Sequence, residues 1–181
     1  VSLIRRAESL LLVVDIQEKL APAIHDNERV AANSVRLLQA AAQLQVPSFV
    51  SEQYVRGLGP SLPGIRQAAG QACFFEKTHF SCAAEPGVVD LLRACGRQQV
   101  ILTGTETHVC VLQTALGLLD AGFDVYLVAD AASSRTPESR QAAIDRLRAA
   151  GVGIVTTEMV LFEWLHRAAT EEFRALLPLI K

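Results

Sequence analysis

The sequence predicts an α/β fold of three layers, a six-stranded parallel sheet covered on both faces by helices, and two observations carry that prediction. Six short apolar runs, residues 9–14, 48–50, 73–75, 99–102, 124–128 and 152–155, are spaced along the 181-residue chain. Between most of them lie segments whose apolar residues recur at helical spacing. Short apolar strands alternating with helices are the pattern of parallel sheets, whose strands are buried on both faces and joined by right-handed crossovers.

Taken in order, residues 9–14 end at Asp15, and Ile16-Gln17-Glu18 breaks the apolar run, as a central strand does at the carboxyl edge of a sheet. Asp26 or Asn27 offers an N-cap for a helix with Val30, Leu37, Leu38, Ala41 and Leu44 on one face, stopped by Pro47. After the second strand comes Tyr54-Val55-Arg56-Gly57-Leu58-Gly59-Pro60, which reads as a loop over the sheet edge. The third strand runs into Glu76-Lys77-Thr78-His79-Phe80-Ser81, so charge again appears where a strand stops. Residues 85–95 form the next helix, with Val88, Leu91, Leu92 and Cys95 on one face and Gly96 closing it. The fourth strand leads through Thr103-Gly104-Thr105-Glu106-Thr107-His108-Val109 to Cys110, and the helix that continues from Val111 is ended by Gly122. Asp130 lies just past the fifth strand. Thr136 as cap and Pro137 at the first helical position start a helix that Gly151 ends. Two short helices, around 159–165 and, after a Thr170 cap, 173–177, finish the chain. Residues 1–181 are expected to form one domain without repeats or linkers.

With 50% hydrophobic and 20% charged residues the chain can bury a substantial core. Its net charge of -2 and scattered basic residues give no reason to expect a nucleic-acid or anionic-membrane partner. The apolar opening is too short to cross a bilayer and no signal-type cleavage pattern follows it, so a cytoplasmic location is expected. Cys73, Cys82, Cys95 and Cys110 have no paired spacing and read as free thiols, not as a disulfide framework or zinc site. No G-x-G-x-x-G or Walker lysine loop occurs, and no cofactor is expected.

The chemistry centres on Cys110, at or near the first turn of a helix that follows a buried strand. Unpaired N–H groups there favour a thiolate and can hold an oxygen that turns negative during attack on a carbonyl. Ligand sites of open parallel sheets collect at the carboxyl ends of the strands, which brings Asp15, Lys77 and the turn before Cys110 to one edge. A carboxylate can take the thiol proton and the sulfur attack a carbonyl. An ammonium between them would make the charges tolerable together and lower the thiol pKa from about 8.5 toward neutrality. The plainer alternatives are a small buried cysteine in a helix, an edge carboxylate that caps, and a surface lysine.

Four separated stretches carry a resemblance: Val13-Val14-Asp15-Ile16-Gln17-Glu18; Glu52-Gln53-Tyr54 with Gly57-Leu58-Gly59-Pro60; Lys77-Thr78 with Phe80-Ser81; and Gly104-Thr105-Glu106-Thr107-His108-Val109-Cys110-Val111. Together, in this order, they resemble the isochorismatase-like cysteine hydrolase superfamily, closest to its isochorismatase-domain-containing branch of unassigned substrate. The resemblance implies a sheet order of 3-2-1-4-5-6, with Asp15 as base, Lys77 as electrostatic partner and Cys110 as nucleophile. It further implies a cis Thr105–Glu106 peptide bond, with the N–H groups of Glu106 and Cys110 as oxyanion hole. In that order Lys77 stands two strands from Asp15, about 10 Å at the usual strand spacing, which a lysine stem can largely span.

Two departures from relatives in the superfamily sharpen this. Nicotinamidases there carry an Asp-x-His pattern with a further histidine after the second strand, whereas this chain has Glu52-Gln53-Tyr54, so no metal is expected. Isochorismatases proper lack the cysteine, so Cys110 favours a small amide or ester as substrate. Two alternatives stand beside this reading: an idle binding or scaffold member, and acid-catalysed vinyl-ether hydrolysis by Asp15 with Cys110 as bystander. Gln17, Gln53, Tyr54, Phe80 and Thr107 are the candidate substrate-binding residues, with Glu106 beside them. His79 and His108 flank the site without an assigned partner. His25 and His166 read as surface residues, and Cys73, Cys82 and Cys95 as packing residues. The apolar helix after Cys110 and the family habit suggest a homo-oligomer, a dimer or larger, while Phe162 and Trp164 are core or docking residues.

Overall fold

In the computed structural model, which describes residues 2–180, β1 (Ser9–Val14), β2 (Ser48–Gln53), β3 (Cys73–Lys77), β4 (Gln99–Thr105), β5 (Asp124–Ser133) and β6 (Gly153–Val155) build one sheet. Its order is β3-β2-β1-β4-β5-β6 and every neighbouring pair is parallel, as expected. The helices are α1 (Asn27–Gln43), α2 (Val55–Leu58), α3 (Pro63–Ala69), α4 (Val88–Arg93), α5 (Leu112–Asp120), α6 (Pro137–Ala149), α7 (Thr157–Leu165) and α8 (Glu171–Ile180).

β1 lies between β2 and β4, and all six of its residues are buried. Its side chains alternate between two cores: Leu11 and Val13 meet Leu37, Ile65 and Trp164 on one face, while Leu10, Leu12 and Val14 meet Leu92, Ala115 and Ile144 on the other. A strand with two covered faces has no polar side to show, which is why it reads as an unbroken apolar run. Each such side chain contributes roughly 1.5–3 kcal/mol by leaving water. α1, α3, α7 and α8 cover the first face; α4, α5 and α6 cover the second.

Several boundaries differ from the sequence reading. β2, β3, β4 and β5 run on past their apolar stretches, to Gln53, Lys77, Thr105 and Ser133. Ladder hydrogen bonds continue beneath polar side chains that find partners of their own. The loop expected over 54–60 contains the single turn α2, and α3, which was not anticipated, follows it with Pro63 in its first turn and Ile65 and Ala69 buried. α1 begins at Asn27, but Asp26 does not cap it; that residue is left-handed and its carboxylate pairs with Arg29. Thr136 does cap α6, its oxygen accepting from the Ser139 N–H at 3.2 Å. Cys73 on the edge strand is exposed rather than packed, whereas Cys82 is buried and Cys95 half-buried, all free.

Register sets up the site. Val14 pairs with Ser51 on one side and Gly104 on the other, and Gln53 pairs with Lys77. The residue after β1 and the ends of β2, β3 and β4 therefore line one edge of the sheet.

Candidate active site

Asp15 is the residue that follows β1, in the left-handed region at φ 55°. Its backbone is fixed on both sides: the N–H donates to Ser51 O at 3.2 Å, and the carbonyl accepts from Thr105 Oγ1 at 2.6 Å. The β4 backbone can come this close because residue 104 is glycine, at φ +144°; a Cβ there would lie 2.2 Å from Val14 O. So held, the fully buried carboxylate accepts from Ser51 Oγ at 2.7 Å through Oδ1 and from Lys77 Nζ at 2.8 Å through Oδ2.

The lysine stem thus closes the two-strand gap, and both charged side chains are 0% exposed. The ammonium also donates to Gln53 Oε1, to His79 O at 3.1 Å and to Phe80 O at 3.0 Å. Four acceptors surround three hydrogens, so Lys77 acts on its neighbours through charge and has no free donor. Glu85 folds the 78–80 loop over it, accepting from the N–H groups of Thr78 at 2.9 Å and His79 at 3.1 Å and pairing with His79 Nδ1 at 2.9 Å. The His79 ring and those two N–H groups push the Glu85 carboxyl down to about 2.

Gln17 and Gln53 are buried, and their amides meet protein groups. Gln17 Nε2 donates to Gln53 O at 2.9 Å and Gly59 O at 2.7 Å, while its Oε1 accepts from the Gln53 N–H at 2.7 Å. Gln53 Nε2 donates to Thr78 O at 2.9 Å. The pair therefore clamps β2 to the Lys77 loop. Tyr54 and Phe80 expose their rings, at 54% and 55%, beside this clamp.

Cys110 is 4% exposed and sits in a single π-helical turn, Thr107–Val111, that precedes α5. No residue pattern marks this wide turn, a local form frequent at functional sites. The Thr105–Glu106 bond is trans, which corrects the expectation of a cis bond. The chain reversal is made instead by Glu106 in the left-handed region, φ 55° and ψ 57°, followed by the π turn. The oxyanion geometry that rested on a cis bond is therefore absent. Among the described residues the Glu106 N–H has no acceptor, and the Cys110 N–H has none outside its own turn.

The thiol does not move toward neutrality. Burial first, then the Asp15 charge, pushes Cys110 well above the ordinary thiol range; Lys77 opposes this less strongly, and hydrogen bonding to the Asp15 carboxylate adds to the rise. The lysine charge is shared with the carboxylate, so the sulfur meets a pair whose anionic member dominates. Cys82 packs in the core as expected. Its N–H donates to Thr114 Oγ1 at 2.9 Å, one helical turn beyond Cys110, and burial with the Asp15 charge pushes its thiol up to about 11. His108 has a partner too, Ser134 Oγ at 2.9 Å from Nδ1. Among the described residues no three His, Cys, Asp or Glu side chains gather at metal-binding distance.

The model of the isochorismatase domain matches residues 9–159 of this sequence. The chain belongs to the isochorismatase family. Within the isochorismatase family it is 40% identical to isochorismatase domain-containing protein 2 of Danio rerio, over 95% of this chain and 86% of that protein. The solved structure of a MAR1 ribonuclease from Caenorhabditis elegans superposes with a TM-score of 0.93 at 37% identity, covering 99% of this chain and 92% of that one. YcaC from Pseudomonas aeruginosa, described with hexane-2,5-diol and covalent acrylamide, gives 0.90 at 27% identity, covering 97% and 90%. Isochorismatase-family proteins are in general hydrolases, and this chain has the hydrolase fold of that family.

Proposed function

We propose that the protein is a cysteine hydrolase of a small amide or ester. The observation that carries this reading is the fully buried Asp15–Lys77 ion pair at the sheet edge that also carries the buried Cys110 turn, with the Asp15 charge acting on the thiol. As the sulfur bonds to the substrate carbonyl carbon, the thiol proton passes to Asp15, and the carbonyl oxygen takes the negative charge. Collapse of the tetrahedral species breaks the C–N or C–O bond, and the proton on Asp15 goes to the leaving group. Water, deprotonated by Asp15, then cleaves the thioester, releasing the acid and returning the proton to sulfur. A free thiolate is not needed: the raised thiol pKa means that proton transfer and S–C bond formation go together. Tyr54 and Phe80 form the open wall of the site, Thr107 its floor, and Gln17 and Gln53 position Lys77.

The covalent acrylamide of the YcaC structure supports the nucleophile part of this reading, since a protein of the same fold there has bonded to an electrophile. Exposed Leu3, Met159 and Phe162 give self-association an apolar surface. The test is turnover of a panel of small amides and esters by Cys110→Ala, with mass spectrometry of the wild type quenched in acid. Loss of turnover in the variant and an acyl mass on Cys110 in the wild type are expected. Turnover retained by Cys110→Ala would instead select acid catalysis by Asp15.

A further inference from the structure

The sheet has two edges, and only one of them is protected against pairing with another chain. β6 is three residues long, too short to template a strand. β3 is five residues long, has no proline, pairs with β2 in unbroken register and turns its lysine inward onto Asp15. Cys73, Phe74 and Glu76 are exposed, Phe74 to 37%, in a sheet whose central strand β1 is buried throughout. The N–H and C=O of one strand residue point to the same side, and the side alternates along the strand. Lys77 O accepts from the Tyr54 N–H at 2.9 Å, so the backbone groups of Cys73, Phe75 and Lys77 face β2 and those of Phe74 and Glu76 face outward. Among the described residues these outward groups have no backbone partner, and Phe74 O has only the Cys73 thiol, 4.0 Å away.

We propose that β3 pairs antiparallel with β3 of a second copy of this chain, about a two-fold axis at Phe75, so that the two sheets continue as one. The register follows from which groups are free. With the two Phe75 residues opposite each other, Phe74 faces Glu76 of the partner subunit on both sides of the axis. Each such pair exchanges both N–H···O bonds, so every outward group is used. Centring on Phe74 would bring in Ala72, whose N–H already donates to Ala69 O at 2.8 Å. Centring on Glu76 would set two carboxylates face to face and bring in Thr78, whose N–H already donates to Glu85 Oε2 at 2.9 Å. Charge favours the same register. Phe74 and Glu76, two residues apart, share one face of β3, and the Arg66 guanidinium lies 5.6 Å from the Phe74 ring centroid. Arg66, with its side chain 54% exposed, holds Glu52 at 3.4 Å and has donors to spare. Glu76 has no ion pair among the described residues, and the pairing brings its carboxylate beside Phe74 and Arg66 of the partner subunit. Because β3 ends in Lys77, the same contact steadies the strand that presents the ammonium to Asp15.

Sedimentation and cross-linking of the full chain test this. Sedimentation velocity of the wild type should give a dimer or a multiple of it. Glu76→Pro removes an outward N–H and leaves the ladder to β2 intact, as proline does on an edge strand. It should raise the dissociation constant by about tenfold or more, since two interchain hydrogen bonds are lost per dimer. Phe75→Cys in a Cys73→Ser background sets two thiols opposite each other with Cα atoms about 4.5 Å apart, within disulfide reach. Diamide, which takes the two hydrogens as the S–S bond forms, should give a covalent dimer on a non-reducing gel. Phe74→Cys in the same background is offset from its copy by two residues, beyond the reach of about 7 Å, and should cross-link more slowly although it is more exposed. A monomeric wild type, a dissociation constant unchanged in a folded Glu76→Pro, or cross-linking rates in the reverse order would each overturn the proposal. If Glu76→Pro fails to fold, or the wild type assembles through another surface, the Phe75→Cys cross-link decides, and its absence overturns the proposal.

Discussion

Lys77→Met keeps most of the buried stem and removes the ammonium, and its cost follows from what the ammonium touches. Four acceptors lose their donor at once: Asp15 Oδ2, Gln53 Oε1, His79 O and Phe80 O. The Asp15 carboxylate, 0% exposed, is left with Ser51 Oγ as its side-chain hydrogen-bond donor. Removing one partner of a buried pair costs about 3–5 kcal/mol. For a chain of this length that lowers Tm by roughly 6–20 °C, at about 2–4 °C per kcal/mol. Asp15→Asn should cost less than half as much, because Lys77 keeps three uncharged acceptors and asparagine still offers an oxygen. Circular dichroism melts of wild type and both variants at neutral pH measure it. A Tm loss under about 2 °C for Lys77→Met, far below the range expected for breaking a buried pair, would refute the ion pair as drawn.

Two other outcomes follow from single contacts. Gly104→Ala places a Cβ 2.2 Å from Val14 O at a φ that side chains avoid. Strain and overpacking together should cost about 2–6 kcal/mol in urea unfolding, and a loss under about 1 kcal/mol would mean that β4 does not approach Asp15 this closely. Glu85→Gln removes a carboxyl held down to about 2 from its ordinary 4.5. A depressed carboxyl stabilises above its unfolded pKa and loses that effect as pH falls through the folded one. The wild type should therefore melt above the variant at pH 5 and higher, with the gap closing between about 4.5 and 2. A gap that persists at pH 2 would show that the Glu85 contacts are not electrostatic.

Asp15, Lys77 and Cys110 were legible in the sequence for one physical reason: each stands where an apolar strand gives way, and a parallel sheet sends those places to one edge. What the sequence could not reveal depends on register or on distance. Gln17 and Gln53 read as pocket residues because polar groups beside a motif look alike, yet their amides meet across the 17–59 loop and β2. α3 had its signals, Pro63 at the start and Gly70 at the end, but seven residues between two turns are easily absorbed into a loop. The reversal before Cys110 can be made by a cis bond or by a left-handed residue with a wide helical turn, and no pattern distinguishes them; the chain uses Glu106 and the π turn. The direction of the thiol pKa is a sum of opposed effects, burial and Asp15 against Lys77, and its sign follows from separations that only the folded chain supplies.

That sum also bears on how the site divides its labour. In the mechanism proposed for Asp15, Lys77 and Cys110 the buried ion pair supplies one negative charge, on Asp15, and one positive, on Lys77. A resting thiolate would be a buried second anion beside a cation whose hydrogens are already engaged, and burial first, then the Asp15 charge, raises the Cys110 pKa against it. Passing the proton from sulfur to Asp15 as the S–C bond forms avoids it: the negative charge moves from the carboxylate to the substrate oxygen, and the total stays at zero throughout. Lys77, immobile and fully bonded, then sees an anion at either end of the transfer and need not move. The reactivity of Cys110 is on this view conditional, small toward any electrophile that cannot carry the displaced charge.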